Sequence, residues 1–280
     1  AISGFLVIGS LVLLATKGLN YGVDFRGGAE IQMKFKTAVE LEQIRTAKEK
    51  KKVSSSSVQS IGDKSQYEFL IKVQADENNI NQVTDNITEI LNKSFSKEGF
   101  EIRKTDIVGP KAGEQLRISG FQAMLYALIG IMIYIGLRFD FKYSPGAIIA
   151  TMHDVIIILG IFCLTNSEFS LQIVGAILAV IGYSVNDTVV VYDRVRENEE
   201  KDNQMNLRDN INAALNQTLT RTTLTSFTTL FVSLAMFFFG GGIIHDFFFA
   251  ISLGVIVGTY SSIFVAAPIT ILFDKLKTAA

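Results

Sequence analysis

Two adjacent polar residues, Asn186-Asp187, interrupt an otherwise apolar run from Val180 to Tyr192 that ends on the charged segment Asp193-Arg194-Val195-Arg196-Glu197. An aspartate within hydrocarbon costs roughly 2.5–3.5 kcal/mol on insertion scales, so such a residue is kept where it binds, pairs or takes up a proton. Asn186 alone reads more simply as a polar residue that glues helices together. Three more residues of this kind sit in apolar surroundings: His153 and Asp154 in one run, and Arg221 near the start of another. Asp187 and Arg221 form the obvious opposite-charge pair. A carboxyl group that loses its partner in a desolvated place tends to take a proton, so an opening and closing pair has the chemistry of a proton relay. A pair that never opens would only hold two helices in register. A metal site is not expected, because His153 and His245 are the two histidines and fall in separate segments.

The elements that position these residues follow from hydropathy. The chain has 280 residues, 49% of them hydrophobic, with 26 basic and 27 acidic side chains and a net charge of -1. Mean hydropathy is +0.33. That balance fits membrane spans combined with a polar insert and gives no reason to expect nucleic-acid binding. Six apolar segments approach the ~20 residues needed to cross a bilayer: Ala1–Leu19, Ile118–Leu137, Pro145–Thr165, Leu171–Tyr192, Thr218–Phe239 and Phe247–Phe273. The first could pass for a signal-peptide core; an anchor is the preferred reading, with residues missing upstream.

Basic residues set the orientation. Arg138 and Lys142 follow the second run, Arg194, Arg196, Lys201 and Arg208 the fourth, and Lys275 and Lys277 the sixth, while 166–170 and 240–246 carry none. Both ends are then cytoplasmic, and 20–115 lies outside. At a rise of 1.5 Å per residue, His153-Asp154, Asp187 and Arg221 each fall roughly 5–14 Å from the cytoplasmic ends of their spans, in one layer. A polar stretch near 194–217 has Leu207, Ile211, Leu215 and Leu219 at helical spacing, which predicts a helix leading into the fifth span.

The segment 20–115 alternates strand and helix patterns. Ala29, Ile31, Met33 and Phe35 alternate with polar neighbours, as do Tyr67, Phe69, Ile71 and Val73. A charged helix with Val39, Ile44 and Ala47 ends near Lys52, Ser54–Ser57 reads as a loop, and a short strand spans Val58–Ile61. Ile80, Val83, Ile87, Ile90, Leu91 and Phe95 mark an amphipathic helix, and Phe100–Val108 the last strand. The order is that of a βαββαβ ferredoxin-like domain. No nucleophile motif, phosphate loop or metal cluster appears in it, so an enzyme is not expected. Gly27-Gly28, with Asp24 beside it, predicts a tight turn, and Gly254 with Gly258 a close helix-packing face.

Taken together these motifs resemble the SecF family of protein-export membrane proteins, relatives of SecD within the resistance-nodulation-division superfamily. The resemblance rests on Tyr21-Gly22-Val23-Asp24-Phe25-Arg26-Gly27-Gly28, Val108-Gly109-Pro110, His153-Asp154, Ile181 to Thr188 with Asp193 to Asn198, Thr220-Arg221-Thr222 and Gly258 to Ser262. It covers nearly the whole chain. Arg26 stands where the family often has a small polar residue. The resemblance implies a subunit that works with SecD, on a separate or fused chain, and with the SecYEG channel. YajC and YidC are further expected partners, together with the lipid bilayer and a translocating unfolded polypeptide. It also implies work driven by the proton-motive force with no cofactor, in a bacterial inner membrane, and a proton-conduction role for the residues matching Asp187 and Arg221. An efflux transporter of the same superfamily and a passive translocon scaffold remain as alternatives.

Overall fold

The computed structural model describes residues 2–49, 56–61, 66–74, 80–96, 98–139, 143–202 and 204–279. The chain opens with helix α1 (Ile2–Thr16), a two-residue strand β1 (Asn20–Tyr21) and a single helical turn α2 (Val23–Arg26). A sheet domain follows: β2 (Gly28–Phe35), α3 (Leu41–Glu49), β3 (Ser56–Ile61), β4 (Glu68–Gln74), α4 (Ile80–Ser94) and β5 (Phe100–Val108). The expected end of α3 near Lys52 lies outside the described residues, as do Ser54 and Ser55, whereas Ser56 and Ser57 belong to a strand rather than a loop.

The four strands lie in the order β3-β4-β2-β5, every neighbour antiparallel. Period-two alternation explains which face is covered: Ile31, Met33, Phe35, Val58, Phe69, Ile71 and Val73 point to Ile44 of α3 and to Ile87, Leu91 and Phe95 around α4. Charges that do not fit this core fall on the other face of β2 and β4.

Beyond the sheet the chain is helical. Helix α5 (Pro110–Arg138) begins at a proline, whose missing N–H is no loss in a first turn. Then come α6 (Ser144–Thr165), a second two-residue strand β6 (Glu168–Phe169), α7 (Leu171–Lys201), α8 (Leu207–Phe239) and α9 (Gly242–Ser261). A π turn (Ser262–Ala266) leads into α10 (Ala267–Ala279), so the last apolar run is one rod with an interruption. The polar stretch after α7 is therefore the first part of α8 itself, capped by Asn206, whose side chain accepts from the Asp209 N–H at 2.9 Å.

Five of these helices are long and apolar enough to cross a membrane, and Ile2–Thr16 is a shorter apolar helix. The chain is a mostly helical membrane protein. α6 and α7 are its centre, burying 61% and 56% of their most apolar windows against 17% for both α5 and α8. Small residues permit the close crossings. Ser10 of α1 lies against Gly160 of α6, where an added Cβ would stand 2.8 Å from the Ser10 Cα. The end of α1 is held by Cys163, whose thiol donates to the carbonyl of Gly18 at 2.8 Å.

Helix α9 meets α7 at Gly254 and Gly258. A Cβ on Gly254 would come within 2.1 Å of Val180 Cγ2, and one on Gly258 within 3.1 Å of the Ser184 Cβ. Valine is stiff at its Cβ and does not swing clear. Gly254→Ala should therefore lower stability by about 1–3 kcal/mol, the usual size of overpacking. Adding Val180→Ala should restore most of it. Thermal melts of the detergent-solubilised variants check this; a double variant no more stable than Gly254→Ala would refute the contact.

Candidate functional site

Three helices converge on one carboxylate. Asp154 is 1% exposed, and its Oδ2 accepts from the Ser184 hydroxyl of α7 at 2.6 Å and from the Ser261 hydroxyl of α9 at 2.7 Å. Its Oδ1 lies 2.9 Å from Nδ1 of the neighbouring His153. The His153 ring stacks on Tyr260, with centroids 6.3 Å apart, and the Tyr260 hydroxyl meets Ser3 of α1 at 3.0 Å. His153 Nε2 is buried with no hydrogen-bond partner. The local folding explains the convergence. Gly258 lets α9 lie against Ser184, and the π turn starts immediately after Ser261. π turns inside α-helices occur frequently at functional sites.

Asp187 lies one turn beyond Ser184 on α7. It is 2% exposed, and its Oδ2 is buried without a hydrogen-bond partner. Arg221 of α8 is the charged group that acts on it electrostatically, yet the two form no ion pair, and Arg221 is exposed. α8 turns Thr218, Thr222 and Ser226 inward, leaving Arg221 on its outer side. Asn186, next to Asp187, is exposed, because successive helical residues point about 100° apart. Asp187, Asp154 and His153 share the interior; Asn186 and Arg221 do not.

A set of hydroxyls joins these helices. Tyr183 donates to Ser226 at 3.1 Å, Ser226 meets Thr259 at 2.7 Å, and Ser252 donates to Ser233 at 3.0 Å. Sequence reasoning missed Ser184, Ser261 and this set. The signal for the set was the i, i+4 spacing of Thr218, Thr222 and Ser226 along α8.

Asp24, Gly27 and Gly28 belong elsewhere. Asp24 Oδ2 accepts the backbone N–H of Leu171, the first residue of α7, at 3.0 Å. Gly27 has φ +86° and sits against Pro110, where a Cβ would be 2.8 Å from the proline Cα. They form the junction between the sheet domain and the helices. Among the described residues no group of three or more His, Cys, Asp or Glu is placed to hold a metal.

A polytopic helical membrane protein with a small sheet domain and buried, partly unpaired acidic groups between helices is the class this architecture defines. Residues 87–276 match the family model described as protein export membrane protein SecD/SecF, C-terminal, and residues 12–39 match the SecD/SecF GG motif. The chain is 40% identical over 279 residues to the protein translocase subunit SecF of Calditerrivibrio nitroreducens, covering 99% of this chain and 91% of that one. It is 42% identical over 280 residues to SecF of Magnetococcus marinus, covering 99% and 90%. The crystal structure of SecDF from Thermus thermophilus, a translocon-associated membrane protein, superposes with a TM-score of 0.80 at 33% identity. That match covers 98% of this chain and 37% of the SecDF chain. A SecDF structure in a super-membrane-facing form gives a TM-score of 0.73 at 33% identity, covering 99% and 38%. The chain belongs to the SecD/SecF family of protein-export membrane proteins, as a protein translocase subunit of the SecF type.

Proposed function

We propose that this subunit uses the proton-motive force to promote SecYEG-dependent translocation and release of proteins outside the cytoplasm. Asp187 takes up and gives off the proton, and Arg221 swings between its present outward position and a contact with the released carboxylate. The observation that carries this reading is Asp187 itself: buried, with Oδ2 unpartnered, and within the electrostatic reach of an arginine it does not touch. A static ion pair would be closed. One charge crossing 100 mV supplies about 2.3 kcal/mol, enough to shift a balance between two helix arrangements. Asn186 and Arg221 face outward, where a second subunit completes the path. Ser184, one helical turn before Asp187 on α7, donates to Asp154 of α6, which lies against His153.

The same reading places the rest of the chain. Helix α1, packed on α6 through Ser10 and Gly160, is a sixth span, extended by Lys17 to Leu19. The βαββαβ order and the β3-β4-β2-β5 sheet support a ferredoxin-like domain, which stands outside the cytoplasm with both termini inside. SecD, as a separate chain or fused, is the partner that completes the relay, beside SecYEG, YajC and YidC, in the bacterial inner membrane. The moving substrate is unfolded polypeptide, and no cofactor or enzymatic step is involved.

Asp187→Asn tests this in proteoliposomes holding the SecD partner and the SecYEG channel. The expected result is loss of the gradient-stimulated part of translocation, with the gradient-independent part retained. Undiminished stimulation would overturn the relay and leave a passive scaffold.

A further inference from the structure

Lys72 is a buried lysine in a domain that has ample solvent around it. It lies in β4, on the face of the sheet away from α3 and α4, and is 5% exposed. Its Nζ is 3.3 Å from Glu30, its cross-strand partner on β2, and 2.9 Å from Oε1 of Glu168. Glu168 does not belong to the sheet domain. It stands 96 residues further on, in the two-residue strand that leads directly into α7.

We propose that Lys72 is the joint through which motion of α7 reaches the sheet domain. A buried charge costs several kcal/mol unless it is paired, so this contact resists opening more than any exposed pair would. Burial alone would make Lys72 give up its proton more readily, but the carboxylates of Glu168 and Glu30 outweigh it and hold the ammonium above its ordinary range. Glu168 is the closer partner, at 2.9 Å against 3.3 Å for Glu30, and it holds the lysine from the side of the helices.

Glu168 is held closely on its own side. Gly22 makes room for it, since a Cβ there would stand 2.5 Å from Glu168 Oε1. Asn20 and Tyr21 pair in parallel with Glu168 and Phe169, and the Gly22 N–H donates to the Phe169 carbonyl at 2.9 Å. Asp24 holds the N–H of Leu171, and Phe25 stacks on Phe169 with centroids 5.7 Å apart. From Leu171 the helix runs unbroken through Asp187, about 24 Å further at 1.5 Å per residue. A rod held this firmly at its head carries any tilt or rotation at Asp187 to Glu168 and thence to the sheet, a contiguous mechanical path.

The inference rests on the proton-driven reading above, and the experiment separates the two. Spin labels on Lys104→Cys and Gln172→Cys, both exposed positions, report the distance between the sheet and the head of α7 in the assembled complex. With Lys72 and Glu168 intact the distribution is narrow and unchanged by an imposed gradient. Lys72→Met or Glu168→Gln broadens it and lowers gradient-stimulated translocation by about fivefold or more, while the double variant falls no further than the worse single, as for two residues acting through one contact. Glu168→Gln keeps the Lys72–Glu30 pair, so it carries the test if Lys72→Met fails to accumulate. A distribution that stays narrow in the variants, losses that add in the double variant, or full stimulation despite a broadened distribution each overturns the joint. Failure of the relay reading shows separately, as stimulation that survives Asp187→Asn while the distance changes stand.

Discussion

Asp154→Leu should destabilise the protein by about 3–5 kcal/mol, the cost of removing one member of a buried charged network. Leucine takes up the space but strands the Ser184 hydroxyl and the His153 Nδ1, whose bonds go to this carboxylate, and leaves the Ser261 hydroxyl only the carbonyl of Gly258 in its own helix. A buried polar group left without a partner costs about 1–3 kcal/mol. Asp154→Asn keeps an acceptor oxygen for the two hydroxyls and should lose much less. Thermal unfolding of both variants in the same detergent provides the comparison. If leucine is no worse than asparagine, the convergence of α6, α7 and α9 on Asp154 does not hold the bundle together.

Gly28→Ala should act on the sheet domain with similar force. The backbone there has φ +149°, and a Cβ would stand 2.0 Å from the carbonyl oxygen of Val73. That oxygen belongs to the β2–β4 ladder, in which Gly28 faces Gln74 and Ala29 faces Val73. It cannot retreat without breaking the pairing. Strain at a glycine-only conformation adds about 1–3 kcal/mol and overpacking about 1–3 more, roughly 2–6 in all. Limited proteolysis should then cut residues 28–108 much faster while the helices stay resistant. Gly130→Ala, at a position with nothing within 4 Å, serves as the control. Equal cleavage rates for the two variants would show that Gly28 is dispensable.

Much of this architecture is readable from the chain because its signals are local. Period-two alternation marked β2 and β4 through Ile31, Met33, Ile71 and Val73, and the apolar runs marked the long helices. Element edges were less legible. Helix α5 begins at Pro110, well before the apolar run at Ile118, because a proline start and a polar first turn carry no hydropathy signal. The pairing of Asn20–Tyr21 with Glu168–Phe169 was invisible, since two residues hold no period and their partners are far along the chain. The π turn gave no sign either.

At the site, single charged residues stood out and their surroundings did not. Asp187 and Asp154 were conspicuous because an ionisable group in an apolar run is expensive. Ser184 and Ser261, which hold Asp154, were not, because serine is common wherever helices pack closely. The relation of Arg221 to Asp187 depends on how α8 is rotated, and hydroxyl residues recur all round this stretch, at Thr220, Thr223 and Thr225 as well as Thr218, Thr222 and Ser226, so hydropathy singles out no one face. Thr218, Thr222 and Ser226 form its buried side, and Ser226 meets Tyr183 and Thr259 of the neighbouring helices.

The chain has a single cysteine, and its thiol is buried with its hydrogen directed at backbone carbonyls near the end of α1. Buried structural thiols of this kind are inert. Cys163 is therefore silent toward maleimides and methanethiosulfonates. Probes can be attached at surface positions of these 280 residues without replacing Cys163, and a reagent that begins to modify Cys163 reports that α1 has come away from α6.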